Sequence, residues 1–582
     1  LTPGEFATAE YQFTPPAEGV YRLSLTVYDE QDIYRLGQDV NTQQSNITLP
    51  LIVGPKPETV VKKWQAGEFS WPRREERELK PHRTLLKTEN LKAGQILAPR
   101  RVFPEDRIVF SQTAEPAHIR LARGERECLQ FAVSFQDPKD ATALSVEVTP
   151  IRHQKGGGTI DDAVLREQVY LTTEVPSGYQ DFPVGAWPDP LLHVGWEKRV
   201  PDAPFTRQNM EYFKEGKRRV YWLTVKAPRN GPGGVYKGSV ILKLNDREAA
   251  RFPVEIDVHS FALPRRASFR CSTGLVSFGF KREFRSNMEA LGLDSGQIDK
   301  LAEEGIMDKT RKLLLRYGWT PTMWFGPKEQ RRYYDYGRGV NWFSLGAGAS
   351  QEHMDWLKEK DLLDYAFVYA PFDEHPEEEV PEVAKWCREW KKEHDIPILD
   401  CYYGNRVEPL FGLVDIWLGQ SPQQEWAQKR KEKGDRFVGV NASLIWFVET
   451  EPATGRSQFW GDFMIGYDGR YVYSTARWTK NLWEKNWTSG NYMGCVVYPD
   501  PTTGITSSIR LETLRDGVED YDYLTLLQQK VNEAGEDAPA AVLKKARALL
   551  ANQQIHADLT DADRINRMRN RIADLIEDLD LE

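Results

Sequence analysis

Residues 366–403 read AFVYAPFDEHPEEEVPEVAKWCREWKKEHDIPILDCYY. The apolar run at 366–372 is too short for a helix, and an acidic, proline-punctuated turn closes it. Over Val380–Glu393, Val380, Val383, Ala384 and Cys387 recur at helical spacing. A second apolar run follows at 396–403. Strand, helix, strand in this order is a parallel βαβ unit, because parallel neighbours need a crossover connection.

The same grammar continues in both directions. Upstream, a strand at 269–278 precedes a helix at 295–317 carrying Ile298, Leu301, Ile306, Leu313 and Leu314, and strands follow at 319–325 and 341–345. Downstream, apolar runs at 414–418, 444–448 and 471–478 supply strands six, seven and eight. Eight alternations within 265–504 predict a (β/α)8 barrel. The flanks read differently. Residues 106–264 alternate apolar and polar residues, as in Val220-Tyr221-Trp222-Leu223-Thr224-Val225, with glycine-rich turns at 156–158 and 231–234. That is an antiparallel β-sandwich ending at Pro264. Residues 1–55 alternate likewise and predict a small β-sandwich fragment, and 56–105, rich in Lys, Arg, Glu and Pro, predict a linker. Residues 505–582 carry helical periodicity throughout. The expected chain is multidomain: N-terminal β-sandwich domains, a central (β/α)8 barrel and a C-terminal α-helical region.

Composition narrows the function. With Lys and Arg at 77 against Asp and Glu at 86, the 582-residue chain carries a net charge of −9. It lacks the basic footprint of a nucleic-acid binder. No apolar run is long enough to span a membrane. Five widely spaced cysteines imply neither a zinc site nor a disulfide framework. No metal, phosphate-loop or dinucleotide motif occurs, so no cofactor is expected. The opening LTPGEFATAEYQF has no signal-peptide core and reads like the middle of a β domain, as in a trimmed or processed chain. Aromatic residues make up 12% of the chain; they fill cores but also form platforms for sugar rings.

A barrel of this kind builds its active site at the C-terminal ends of its strands. Strand four ends in Asp373-Glu374-His375-Pro376, which reads equally as a catalytic carboxyl pair or as a helix cap. Adjacent carboxylates at a strand end point to opposite sides unless a bend re-aims one. The run at 444–448 is followed by Glu449, a candidate second carboxylate of a retaining pair, for which separations are about 5–5.5 Å. Trp324, Tyr402, Tyr403, Trp446 and Trp478 fall at strand ends and are candidate sugar platforms, each of which also fits rim packing.

The segment Ser508-Ile509-Arg510-Leu511-Glu512-Thr513-Leu514-Arg515-Asp516-Gly517-Val518-Glu519-Asp520-Tyr521-Asp522-Tyr523-Leu524 resembles the C-terminal signature of glycoside hydrolase family 123 and its relatives. Phe372-Asp373-Glu374 resembles that family's catalytic pair, although His375 stands where the family carries proline. Pro188-Asp189-Pro190-Leu191, the turn at 233–238 and Phe261-Ala262-Leu263-Pro264 resemble its β-sandwich, so the likeness covers roughly 106–530. The resemblance implies an exo-acting β-N-acetylgalactosaminidase type of activity, in which the substrate's 2-acetamido oxygen attacks the anomeric carbon. Glu374 is then the general acid and base, Asp373 orients the acetamido group, and the partner is a glycan. An extracytoplasmic setting is expected. The alternatives are a two-carboxylate retaining glycosidase using Glu374 and Glu449, and a non-catalytic carbohydrate-binding protein. The signature itself is expected to be mainly structural, with helical pairs such as Arg515 and Glu519, except that Ser508 and Arg510 at the helix start are expected to approach the barrel mouth.

Overall fold

The computed structural model describes residues 19–26, 46–53, 73–177, 182–274, 280–303, 305–322, 325–346, 350–487, 490–534, 538–552, 555–559 and 561–580. Near the N-terminus, Gly19–Thr26 pairs antiparallel with Asn46–Val53. The sandwich comprises two six-stranded sheets. One runs Gly185–His193, Ala163–Thr173, Arg218–Lys226, Arg126–Phe135, Leu91–Ile96, Arg83–Lys87, all antiparallel. In the other, Gly234–Leu244 and Arg247–Ala262 form the central pair, and Ala117–Arg123 adds parallel to the latter. Phe131 from the first sheet meets Phe252 from the second edge-on at 5.4 Å, in the apolar layer between them. Residues 83–96, read from sequence as linker, are two strands of this sheet. Leu85 and Leu91 face the core while Arg83, Lys87 and Lys92 stay at the surface, as is usual on an edge. Their charge masked a strand pattern.

The barrel follows. Its strands are Arg270–Thr273, Trp319–Pro321, Phe343–Leu345, Ala366–Tyr369, Ile398–Cys401, Ile416–Leu418, Arg436–Val440 and Gly469–Val472, all parallel in one eight-stranded sheet. Among the described residues, strands two and three do not pair. Asn341 stitches that gap: it exchanges hydrogen bonds with Thr320 and donates to the Phe269 carbonyl at 2.9 Å. Trp342, Phe367, Leu399, Ile416 and Val438 fill the interior.

Strand seven is not 444–448. It is Arg436–Val440, and Ser443–Trp446 is one helical turn. Strand eight ends at Val472, and 473–478 is irregular.

The signature helix, Ile509–Glu533, starts at Ser508, whose hydroxyl accepts from the Leu511 N–H at 3.1 Å. It lies between sandwich and barrel, and the charged residues of its first four turns, Arg510 to Asp522, are buried. Arg510 pairs with Asp189 of the sandwich at 2.9 Å, both wholly buried. Further along, Arg166, Arg338, Arg456, Arg515 and Arg569 interlock with Glu125, Glu127, Glu512, Asp516, Glu519, Asp520 and Asp522. The expected Arg515–Glu519 pair is present at 3.5 Å. Breaking one member of such a network costs about 3–5 kcal/mol because it strands a buried charge. The signature therefore specifies how sandwich, barrel and C-terminal helices fit together. Among the described residues, no helix is long and apolar enough to cross a membrane.

Candidate functional site

Strand four ends at Tyr369, and Pro371, which has no N–H, stops the ladder. The chain then turns through Phe372 and Asp373 to Glu374, whose φ is +48°. A left-handed backbone at a residue other than glycine costs roughly 1–2 kcal/mol and persists only where surroundings enforce it. This is the bend that re-aims one of two adjacent carboxylates. Asp373 Oδ1 accepts from the Tyr369 hydroxyl at 2.6 Å, and Glu374 Oε1 accepts from the Tyr403 hydroxyl at 3.3 Å. Tyr369 comes from strand four itself and Tyr403 from the end of strand five. Burial, with the nearby Asp373 charge, pushes the Tyr369 phenol well above its ordinary range, so it stays a donor.

Beneath the pair, the His375 imidazole is buried and stacks on Tyr402 with centroids 4.7 Å apart and planes at 5°. Its Nε2 lies 3.1 Å from Asp400 Oδ2, on strand five. Burial opposes the imidazolium, but the Asp400 hydrogen bond and charge outweigh it and raise the His375 value. Burial raises the Asp400 carboxyl, with the Asp373 charge adding to it and His375 opposing. His375 is thus clamped on two sides, and it holds the backbone turn that carries Glu374. Gln420 secures the next loop, donating to the Tyr402 and Gly404 carbonyls at 2.7 and 3.0 Å on either side of Tyr403. Burial and the Asp373 charge push the Cys401 thiol up to about 12, so it sits in this site as a neutral thiol. Tyr471, on strand eight, approaches Tyr369 with ring centroids 6.5 Å apart.

The structure brings Asp373, Glu374, Tyr402 and Tyr403 together. Tyr403 is 47% exposed beside Glu374, while Tyr402 is buried as the floor under His375. Trp446 is exposed on the turn after strand seven, 6.3 Å from the Tyr473 ring. Trp324 lies outside the described residues.

Two expected members are elsewhere. Trp478 is buried, stacks on Phe280 at 4.7 Å and donates its indole N–H to the Val497 carbonyl at 2.8 Å; it is core. Glu449 is 3% exposed and sits in the seam with the sandwich. It accepts from the Ser177 hydroxyl at 2.9 and 3.0 Å, the Ser177 N–H at 3.2 Å and the Asn491 amide at 2.6 Å. Its placement in the mouth followed from the misplaced strand seven. The sequence reading did not assign Tyr369, His375 or Tyr471 to the site. Tyr369 could have been found four residues before Asp373 at the strand end, whereas the partner of His375 lies 25 residues away.

No protein-family model matches the sequence, and no curated protein matches it. The structure is similar to that of a family 123 glycoside hydrolase from Clostridium perfringens, analysed for glycolipid glycan hydrolysis. The TM-score is 0.55 at 12% identity, over 85% of this chain and 100% of that one. A family 39 glycoside hydrolase from the gut symbiont Bacteroides cellulosilyticus WH2 aligns more loosely, at TM-score 0.25 and 8% identity over 64% and 80% of the two chains. At such identities the likeness is one of architecture: across most of its length, this chain shares the fold of a family 123 glycoside hydrolase.

Proposed function

We propose that the chain is an exo-acting glycoside hydrolase for glycans ending in a 2-acetamido sugar, of the N-acetylgalactosaminidase type. The observation that carries the reading is the Asp373–Glu374 turn at the C-terminal end of strand four, bent by the left-handed Glu374, with each carboxylate held by a tyrosine. Asp373 accepts the acetamido N–H and fixes the amide so that its oxygen faces the anomeric carbon. That oxygen forms the new bond to the carbon as the glycosidic C–O bond breaks, and Glu374 gives its proton to the departing oxygen. Water then attacks the same carbon, returns a proton to Glu374 and reopens the ring, so configuration is retained. An intramolecular nucleophile needs orientation above all, and a fixed carboxylate provides it. Such a scheme needs no second carboxylate across the ring, in keeping with Glu449 being held by Ser177 and Asn491.

The test is hydrolysis of paired aryl β-glycosides with a 2-acetamido or a 2-hydroxyl group. Cleavage of the acetamido series alone, inhibited by a thiazoline analogue, is expected. Equal cleavage of both series would overturn the mechanism, and cleavage of neither would overturn the activity.

A further inference from the structure

On the side of the barrel opposite the carboxylate pair lies a cavity of about 280 Å³. Lys226, Arg229, Asn230, Arg265 and Arg338 line it, together with Gly124. Lys226 ends the sandwich strand Arg218–Lys226, and Arg229 sits in the turn that follows. Arg265 and Arg338 precede barrel strands one and three, at the N-terminal side of the barrel. In a chain of net charge −9, four cations around one cavity call for compensation.

Two of the four have it. Arg265 pairs with Asp335 at 2.9 Å, and Arg338 pairs with Glu519 and Asp522. The other two form no ion pair among the described residues: Asp162 acts on Lys226 and Asp522 on Arg229 only at longer range, and Arg229 donates to the Leu263 carbonyl at 2.7 Å. Arg338 adds an unused donor: it is 4% exposed, and its Nε–H meets no acceptor among the described residues. Asn230 and Arg265 are exposed, so the cavity opens to solvent. Gly124, at φ +81°, lets the backbone pass close to Arg229; a Cβ there would lie 3.0 Å from the guanidinium.

From this geometry we infer that the cavity is a binding site for a small tetrahedral oxyanion, phosphate or sulfate, held by Lys226 and Arg229 with Arg338 and Asn230 as further donors. Charge-assisted hydrogen bonds from lysine and arginine are the usual means of holding such groups. Burial is the main cause that lowers both Lys226 and Arg229, and the neighbouring Arg338 adds to it in each case. The volume is near the small end of ligand pockets, about 300–1,000 Å³. It leaves room beyond one oxyanion for the ring of a sugar ester. The inference does not rest on the proposed catalysis.

The experiment is calorimetric titration of the full chain with inorganic phosphate, sulfate, a hexose 6-phosphate and a hexose 6-sulfate, at ionic strength fixed with chloride. Stoichiometric binding of phosphate is expected, with a rise in melting temperature that chloride does not produce. Lys226→Gln should weaken it about tenfold or more. Asn230→Asp, at an exposed position, places a repelling charge on the lining and should do the same without disturbing the fold. Tighter binding of the esters identifies a modified sugar as the source of the oxyanion, and equal binding identifies the free ion. Phosphate acting no differently from chloride, or binding to well-folded Lys226→Gln and Asn230→Asp as it does to the parent, would overturn the inference.

Discussion

Replacing Asp400 with asparagine should invert the pH dependence of the layer beneath the carboxylate pair. In the parent, both His375 and Asp400 have raised values, so the folded chain binds more protons than the unfolded one. Their joint contribution to stability is therefore greatest at acid pH and is lost as pH rises through the raised His375 value. Asparagine keeps the shape but removes the charge. Burial then acts on His375 against only the Pro376 carbonyl and the Glu379 charge and depresses it, so the variant loses stability as pH falls below about 6.5. A tenfold change in the proton affinity of the imidazole corresponds to about 1.4 kcal/mol. At pH 5 the buried imidazole has to stay neutral about 1.5 pH units below its ordinary value, a cost of about 2 kcal/mol on top of the weakened hydrogen bond. At pH 8 only a neutral hydrogen bond is weakened, for about 1 kcal/mol. For a unit the size of the barrel this is about 10 °C in Tm at pH 5 and about 3 °C at pH 8. Melts of parent and variant at both pH values provide the assay, with kcat/KM falling as the Glu374 turn loosens. A Tm gap that is equal at the two pH values, or larger at pH 8, would refute the reasoning.

Glu449→Gln should keep kcat/KM on acetamido substrates within about twofold and lower Tm by a few degrees, since its contacts are structural; a collapse of turnover at unchanged Tm would restore it as the nucleophile. Trp478→Ala should cost about 3–5 kcal/mol of stability with KM unchanged, and a raised KM at parental Tm would return it to the substrate. Among the described residues, the interlocked seam has seven carboxyls for five guanidiniums, and burial, only partly offset by the arginines, pushes Glu125 to about 8 and Asp516 to about 7. The folded state therefore holds protons that the unfolded state releases, and stability falls as pH rises from the ordinary carboxylate range to about 8. Glu125→Gln, which mimics the protonated form, should flatten that slope in urea titrations; an unchanged slope would contradict the assignment.

Strands two to six were legible because each lies in a short, largely apolar run flanked by turn residues, and the helix between strands four and five has one apolar face. Strand seven was not. Arg436-Phe437-Val438-Gly439-Val440 carries a charge and a glycine, whereas the stronger run Leu444-Ile445-Trp446-Phe447-Val448 buries Leu444 and Ile445 from a helical turn. Local hydrophobicity cannot tell a buried turn from a buried strand, and Glu449 was misplaced with it. The place of Asp373 and Glu374 at the end of strand four was legible, although from position alone they read equally as a catalytic pair or as a helix cap. What holds it was not: the His375–Asp400–Tyr402 layer joins residues from two strand ends, and their contact exists only once strands four and five lie side by side.

The most direct measurement is kcat/KM of Glu374→Gln on aryl 2-acetamido-2-deoxy-β-glycosides whose leaving phenols span a range of acidity. The account predicts a loss of roughly 10²–10⁴-fold with a poor leaving group such as 4-methoxyphenol, where protonation of the departing oxygen is needed. With 2,4-dinitrophenol, which leaves unaided, the rate should stay near that of the parent. A parent chain that cleaves none of the series, or a variant whose loss is the same for every leaving group, would contradict it.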